Sequence, residues 1–203
     1  LFDELVPVKP HHSEISSRRQ QKYKGAFVYE PKPGLHKDIV IFDYRSLYPT
    51  IISSHNISPS MLNCDCCKDK EKVPGLEYWF CKKKKGFFSS VIEDIIKKRM
   101  RIKEVMKTEK NIFLDARQDS LKLLANACYG YLGFYAARWY SIECARSVTA
   151  YGRHYIKKVI SEAEKLKFEV LYSDTDSVFL ILGKKKKKDA TKFSDKINKE
   201  LPG

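Results

Sequence analysis

The sequence has no apolar run approaching the ~20 residues that a membrane-spanning helix needs, so no membrane partner is expected. Its first residues, Leu1-Phe2-Asp3-Glu4, lack the charged-then-apolar pattern of a secretory signal. With no targeting signal visible, the expected compartment is the cytoplasm. An initiator Met is also missing, which predicts a processed, excised or truncated product. No internal repeat is present, and the cysteines do not form the paired C-x2-C knuckles of an unambiguous zinc site. Acidic residues are the minority: 25 against 39 basic ones, a net charge of +14. A surplus this large favours an anionic partner, with nucleic acid first and a membrane surface second, against the plainer alternative of a solvated lysine-rich face. Lys82–Lys85 and Lys184–Lys188 read as solvated loops or hairpin tips.

What is present is enough for a core. The 203 residues suffice for one domain or two small ones, and 43% hydrophobic residues exclude a disordered or fibrous chain. Of six cysteines, Cys64, Cys66, Cys67 and Cys81 crowd together, apart from Cys128 and Cys144. This group is compatible with zinc binding, with a disulfide such as Cys67–Cys81 in a thermophile, or with free thiols.

Residues 1–38 are rich in Pro, His, Ser and charge, which predicts an extended lead-in with little core of its own. The run 38–43 between two carboxylates reads as a short buried strand. A helix is expected from Leu47 to Ile57, with Pro49 near its first turn, where proline is tolerated. Residues 63–86 read as an irregular insertion. The capping-box pattern Ser90-Val91-Ile92-Glu93 predicts a helix running to about Lys110. A second helix from about Phe113 to Tyr131 should fold back on it as an antiparallel hairpin. A third fits Glu143–Lys167. Phe168–Ser173 and Ser177–Leu182 read as a β-hairpin tipped by Asp174-Thr175-Asp176, and residues 189–203 begin one more helix.

Several residues break their local pattern. Asp174 and Asp176 end runs apolar enough for a sheet interior, and the two charges repel unless a cation or water screens them. An ordinary polar turn is the plain alternative. Asp43 ends an apolar strand in the same way and is followed by the tight Ser46-Leu47-Tyr48-Pro49. Carboxylates at the ends of neighbouring strands converge on one point even when far apart in the chain. Hard cations such as Mg²⁺ need only one or two carboxylates plus substrate phosphates. Two such ions, about 3.5–4 Å apart, can activate an attacking oxygen and stabilise a leaving one. On the first long helix, Ile92, Ile95, Ile96 and Met106 define an apolar stripe in which Arg99 and Lys103 take the places of apolar residues. On the second, the stripe is Leu121, Leu124, Ala125, Cys128 and Leu132, while Lys122, Asn126 and Tyr129 form a separate row. Gly130 follows, where a side chain would block an approach to the helix. Two helices that each aim cations along a row suit a polyphosphate.

These residues resemble the family B (α-like) DNA polymerases, most closely the archaeal members. Asp43-Tyr44-Arg45-Ser46-Leu47-Tyr48-Pro49 is similar to the first palm motif, D-x-x-S-L-Y-P. Lys122-Leu123-Leu124-Ala125-Asn126-Ala127-Cys128-Tyr129-Gly130 resembles the fingers motif K-x-x-x-N-S-x-Y-G, with Ala127 in place of the usual Ser. Tyr172-Ser173-Asp174-Thr175-Asp176-Ser177 resembles the second palm motif, Y-x-D-T-D-S. Tyr23-Lys24-Gly25-Ala26 resembles the Y-x-G-G/A element that touches template DNA. The likeness covers essentially the whole chain, in order.

The resemblance implies an α+β fold: an antiparallel-sheet polymerase palm with an inserted antiparallel helical-hairpin fingers subdomain. It implies a lead-in at 1–30, palm at 31–85, fingers at 86–134 and a truncated second palm part at 135–203. Asp43 and Asp176 become the main ligands of two Mg²⁺ ions, with the Tyr44 carbonyl contributing and Asp174 in a supporting catalytic role. Arg99, Lys103, Lys122 and Asn126 hold the incoming triphosphate. Tyr48 packs under the sugar and excludes a 2′-hydroxyl, and Tyr129 flanks the nascent base pair. Tyr23, Gly25, Gly130 and Thr175 are the implied DNA contacts. Cys67 and Cys81 match one of two disulfides common in archaeal members, while Ser141 opposite Cys144 lacks the other. That match ranks a disulfide above zinc and leaves Cys64 and Cys66 unexplained. The implied partners are primer-template DNA, deoxynucleoside triphosphates and a complementary polymerase fragment carrying thumb or exonuclease, whose motifs are missing here. The rivals are another palm polymerase copying or making RNA, a non-catalytic nucleic-acid-binding polymerase subunit, and a zinc-stabilised interaction module.

Overall fold

The computed structural model describes residues 6–68, 71–109 and 111–201. The expectations at Leu1–Glu4 and at the ends of two helices, Lys110 and residues 202–203, lie outside them. At the centre is an antiparallel sheet of four strands, β1 (Val28–Tyr29), β2 (Ile39–Asp43), β3 (Glu169–Asp174) and β4 (Ser177–Ile181), in the order β1-β3-β4-β2. The hairpin β3–β4 occupies the middle, as its apolar runs predict. Val170, Leu171, Val178 and Leu180 are buried. Thr175 turns the chain with a left-handed φ of 50°. That conformation is uncommon for a residue with a Cβ and is held here by the short loop.

One face of the sheet is covered and the other is not. Ile156, Val159 and Ile160 from α5 (Ile142–Lys165), and Phe193 and Ile197 from α6 (Lys187–Glu200), pack on Val170, Val178 and Leu180. The expectation of a buried strand at 38–43 is therefore corrected. β2 lies at the sheet edge, with Ile39 41% and Ile41 56% exposed, while Val40 and Phe42 point to the core. An apolar run is compatible with burial on both faces, but only packed neighbours supply it.

The N-terminal half of α5 serves a second core. Val148, Tyr151 and Tyr155 pack there with Leu47, Ile51 and Ile52 of α2 (Leu47–Ser54) and with Ile92 of α3 (Phe87–Val105). A single long helix thus ties the sheet to the helices around α2. That helix ends before Ile57: Asn56 takes a left-handed φ of 55°, and the Ile57 N–H returns to the Ile52 carbonyl at 3.0 Å, a Schellman closure.

Helix α3 starts at Phe87, earlier than the Ser90 capping box predicts. The caps come from distant residues. The Gly86 N–H donates to Asn56 Oδ1 at 2.9 Å, Ser89 Oγ donates to the same atom at 2.5 Å, and the Phe88 N–H donates to Ser58 Oγ at 3.3 Å. Glu93, freed from capping, pairs with Lys85 and Lys97 at 2.9 and 2.6 Å. The chain reverses beyond α3 into α4 (Ile112–Gly133), capped by Asn111 Oδ1 accepting from the Phe113 N–H, and the two helices pack together as the expected hairpin. Leu124, placed on the apolar stripe by spacing, is instead 51% exposed; Gln118, Ala125 and Leu132 are the buried residues of α4.

The lead-in is not wholly extended. It carries α1 (His12–Gln20), which buries no residue and is held by Arg18, whose guanidinium donates to the Ala137 carbonyl and lies over the Tyr140 ring. The insertion at 63–86 is also more ordered than expected. It contains a 3-10 turn at Asp65–Cys67, follows another at Pro59–Met61, and is tied back by an antiparallel bridge between Phe80 and Leu62 just before it. The residues beside it come so close to Gly86 that a Cβ there would lie 2.4 Å from Ser58 Cβ and 2.6 Å from Met61 Cγ. Gly86→Ala is expected to destabilise the fold by about 1–3 kcal/mol, because the first obstructing atom sits directly on backbone. A lower urea midpoint with an unchanged slope is the measurement.

Candidate active site

The strand register brings the acidic residues to one end of the sheet. Asp43 and Asp174 both pair with Ser177, on opposite sides of β4. The Tyr44 N–H donates to the Asp176 carbonyl at 2.8 Å, so the chain leaving β2 is tied to the tip of the β3–β4 hairpin. Within the tip, Asp174 is held by its neighbours: Thr175 Oγ1 donates to Oδ1 at 2.9 Å and the Tyr172 hydroxyl to Oδ2 at 3.3 Å. Asp176 is half-buried. Its carboxyl pKa is raised, first by burial and next by the Asp43 carboxylate, while Lys122 acts in the opposite sense. None of the three carboxylates forms an ion pair among the described residues. Asp43 and Asp174 are exposed and Asp176 is half-buried; carboxylates at one end of a sheet that form no ion pair are donors of the kind a hard cation takes.

After Asp43 the chain turns sharply at Ser46, whose left-handed φ of 54° starts α2. Ser46 Oγ accepts from an Arg99 terminal nitrogen at 3.1 Å, and Arg99 Nε donates to Gln118 Oε1 at 3.3 Å. Arg99 therefore links the loop after β2 to both long helices. Gln118 is buried, and its amide nitrogen donates to Asp119 at 2.7 Å and Asp115 at 3.2 Å. Sequence reasoning missed Gln118, although it lies one turn before Lys122 on the row already singled out. Lys103 feels Arg99, Arg45 and Lys122; burial first, and then these cations, lower its pKa. The expected cations thus form one basic group, to which the structure adds Arg45. A cavity of about 790 Å³ runs past Asp43, Arg45, Ser46, Arg99 and Lys103 and is floored by apolar residues including Phe42 and Val178.

The tyrosines gather near the acidic end. The rings of Tyr48 and Tyr129 lie 4.5 Å apart, and the Tyr129 and Tyr23 hydroxyls are 3.1 Å apart. Tyr48 also rests on Gly152, where a Cβ would lie 3.1 Å from its ring. Its phenol pKa is raised by burial and then by the charge of Asp176, which ties the aromatic group to the acidic one. Arg153, unnoticed in the sequence, donates to the Lys24 and Gly25 carbonyls at 2.8 and 2.7 Å and pins the Tyr23–Gly25 segment to α5. Lys122 and Asn126 lie on the exposed face of α4. Gly25 and Gly130 both face open space, with nothing within 4 Å of a Cβ built there. Cys67 and Cys81 belong elsewhere, to the loops between α2 and α3. No helix among the described residues is long and apolar enough to cross a membrane.

A fold with this acidic sheet end, basic helical hairpin and tyrosine cluster is a polymerase-type fold, and the DNA polymerase family B model matches residues 4–202. The chain belongs to that family. It is 45% identical over 211 residues to the DNA polymerase of Thermococcus gorgonarius, and 44% identical over 209 residues to DNA polymerase 1 of Pyrococcus abyssi. Each alignment covers 99% of this chain and 27% of the relative, so the chain spans about a quarter of the length of these curated relatives. The solved family B DNA polymerase of Pyrobaculum calidifontis superposes with a TM-score of 0.74 at 34% identity, covering 96% of this chain and 25% of that one.

Proposed function

We propose that this chain is the palm and fingers portion of a DNA-directed DNA polymerase, adding deoxynucleotides to a primer 3′ end. In this reading residues 31–85 and 135–203 form the palm, residues 86–134 the fingers, and residues 1–30 the lead-in. The observation that carries it is the convergence of Asp43 and Asp176 beside a basic group contributed by both helices of the hairpin.

Asp43 and Asp176, with the Tyr44 carbonyl, are the residues that would hold Mg²⁺, and Asp174 supports them. Bound there, one or two such ions would lower the charge barrier for the primer 3′ oxygen attacking the α-phosphorus and for departure of pyrophosphate. The protein's own residues position and neutralise. Arg99, Lys103, Lys122 and Asn126 contact the triphosphate, and Arg99 is held for that task by Ser46 and Gln118. Tyr48 lies against Tyr129 and Gly152, and in this reading it packs under the sugar and excludes a ribose 2′-hydroxyl. Tyr129 flanks the new base pair. Tyr23, Gly25, Gly130 and Thr175 meet the DNA, and the open space over the two glycines favours this. The partners in this reading are primer-template DNA, deoxynucleoside triphosphates and a complementary polymerase portion carrying thumb or exonuclease.

DNA binding by the chain alone is expected to be weak, sequence-tolerant and strongly salt-dependent. Each phosphate neutralised by Lys or Arg contributes about −0.9 to the slope of log K against log salt on duplex DNA. A titration across a salt series reads that slope directly; a flat dependence would mean that the basic surface does not meet DNA. Primer extension with deoxy- and ribonucleotides, using the chain together with its complementary portion, tests the catalytic part of the proposal.

A further inference from the structure

The four clustered cysteines take no part in the proposed chemistry, yet the fold assembles them closely. Their sulfurs all lie within 4.8 Å of one another. Cys66 Sγ is 3.7 Å from Cys64, 3.8 Å from Cys67 and 3.6 Å from Cys81. Four thiolates around one Zn²⁺, each about 2.3 Å from it, stand about 3.8 Å apart along the edges of a tetrahedron. A single disulfide explains two of these residues and leaves Cys64 and Cys66 without a reason to converge.

The surrounding backbone fixes the group from both sides. The Leu62–Phe80 bridge aligns the two stretches of chain, the Trp79 indole N–H donates to the Cys64 carbonyl at 2.8 Å, and the Cys81 N–H donates to the Met61 carbonyl at 2.9 Å. Two backbone N–H groups are aimed at sulfur: Lys82 at Cys67 and Lys84 at Cys81, each at 3.4 Å. Such donors orient metal-bound thiolates and stabilise their charge. Cys67 and Cys81 are buried, while Cys66 is exposed. Four thiolates on a divalent ion carry a net negative charge, and the exposed Lys82, Lys83 and Lys84 follow the last ligand directly.

We propose that Cys64, Cys66, Cys67 and Cys81 form a structural zinc site that fastens the chain between α2 and α3. All-sulfur donors in a closed, four-fold set select zinc over hard cations such as Mg²⁺. The purpose follows from position. Asn56 donates to the carbonyls of Cys81 and Lys84, both at 2.7 Å, and also caps Gly86 at the head of α3. Closing the metal site therefore fixes the base of the helix that carries Arg99 and Lys103. This inference stands apart from the polymerase reading, because it concerns folding rather than nucleotidyl transfer.

The test uses the 203-residue chain, purified under reducing conditions without chelator. Metal analysis for zinc and iron is combined with Co²⁺ titration followed by thiolate-to-cobalt absorption and with mass spectrometry for disulfides. The expected result is about one zinc per chain and a tetrahedral thiolate cobalt spectrum. Cys66→Ser is expected to lower Co²⁺ affinity by more than about 100-fold, beyond the effect of losing an outer-sphere partner. Cys128→Ser, outside the cluster, is expected to leave it unchanged. Cys66 is the informative variant because a Cys67–Cys81 disulfide does not need it. Should Cys66→Ser fail to fold, the zinc content and cobalt spectrum of the unsubstituted chain decide alone. Iron in place of zinc, a Cys67–Cys81 disulfide, or four free thiols that bind neither Zn²⁺ nor Co²⁺ would overturn the proposal.

Discussion

Asp176→Asn is expected to lower single-nucleotide primer extension by about 10³-fold or more while leaving DNA affinity nearly unchanged. Removing one group that stabilises charge only in the transition state costs about 10²–10³ in turnover in well-studied sites. Asp176 is proposed to serve both metal positions, so its loss belongs at or beyond the upper end. The substitution keeps the size of the side chain and removes its charge. The backbone ties of residue 176, to the Tyr44 N–H and within the hairpin turn, do not involve the side chain and should survive. The measurement is single-turnover extension with Mg²⁺ beside a DNA-binding titration. A fall in both together would point to a misfolded hairpin, and a fall in neither would remove Asp176 from the catalytic assignment.

Lys122→Ala is expected to act on nucleotide binding. Lys122 sits on the exposed face of α4, within electrostatic reach of both Asp176 and Lys103. A hydrogen bond to a charged partner contributes about 1.5–3 kcal/mol, which corresponds to a rise in KM of roughly 10–100-fold. The maximal rate should change much less, because a contact to the triphosphate is made before and during the chemical step alike. Nucleotide titrations of kcat and KM separate the two variants: Asp176→Asn moves kcat and Lys122→Ala moves KM. An equal loss of kcat in both would place Lys122 on the reacting phosphate instead.

The acidic end of the sheet was legible in the sequence because a polar turn accounts for one acidic strand end, while a second, at Asp43, makes a shared site the better reading. Asp43, Asp174 and Asp176 broke three local patterns, and strand pairing brought those breaks together. Arg99 and Lys103 were legible as cations in an apolar stripe. Long-range partners were not legible. Asn56 and Ser58 cap α3 from thirty residues away in the chain, so the local signal at Ser90-Val91-Ile92-Glu93 placed the helix start too late. The edge position of β2 depends on which neighbours pack on it, and Ile39 and Ile41 carry no mark of that in their spacing. Leu124 followed the helical period but is exposed, because Gln118, Ala125 and Leu132 define the buried side of α4. The convergence of the four cysteines required the Leu62–Phe80 bridge, which C-x-C-C spacing alone does not encode.

The central claim is that Asp43 and Asp176 together hold the metal that nucleotidyl transfer needs. It is tested most directly by titrating Mn²⁺, as a paramagnetic substitute for Mg²⁺, into the chain with its complementary portion, a dideoxy-terminated primer-template and the next deoxynucleotide. Bound metal is then counted by electron paramagnetic resonance. The account predicts tightly bound Mn²⁺ that is lost in both Asp43→Asn and Asp176→Asn and kept in Gln118→Ala. Mn²⁺ binding equally tight in all three variants would contradict it.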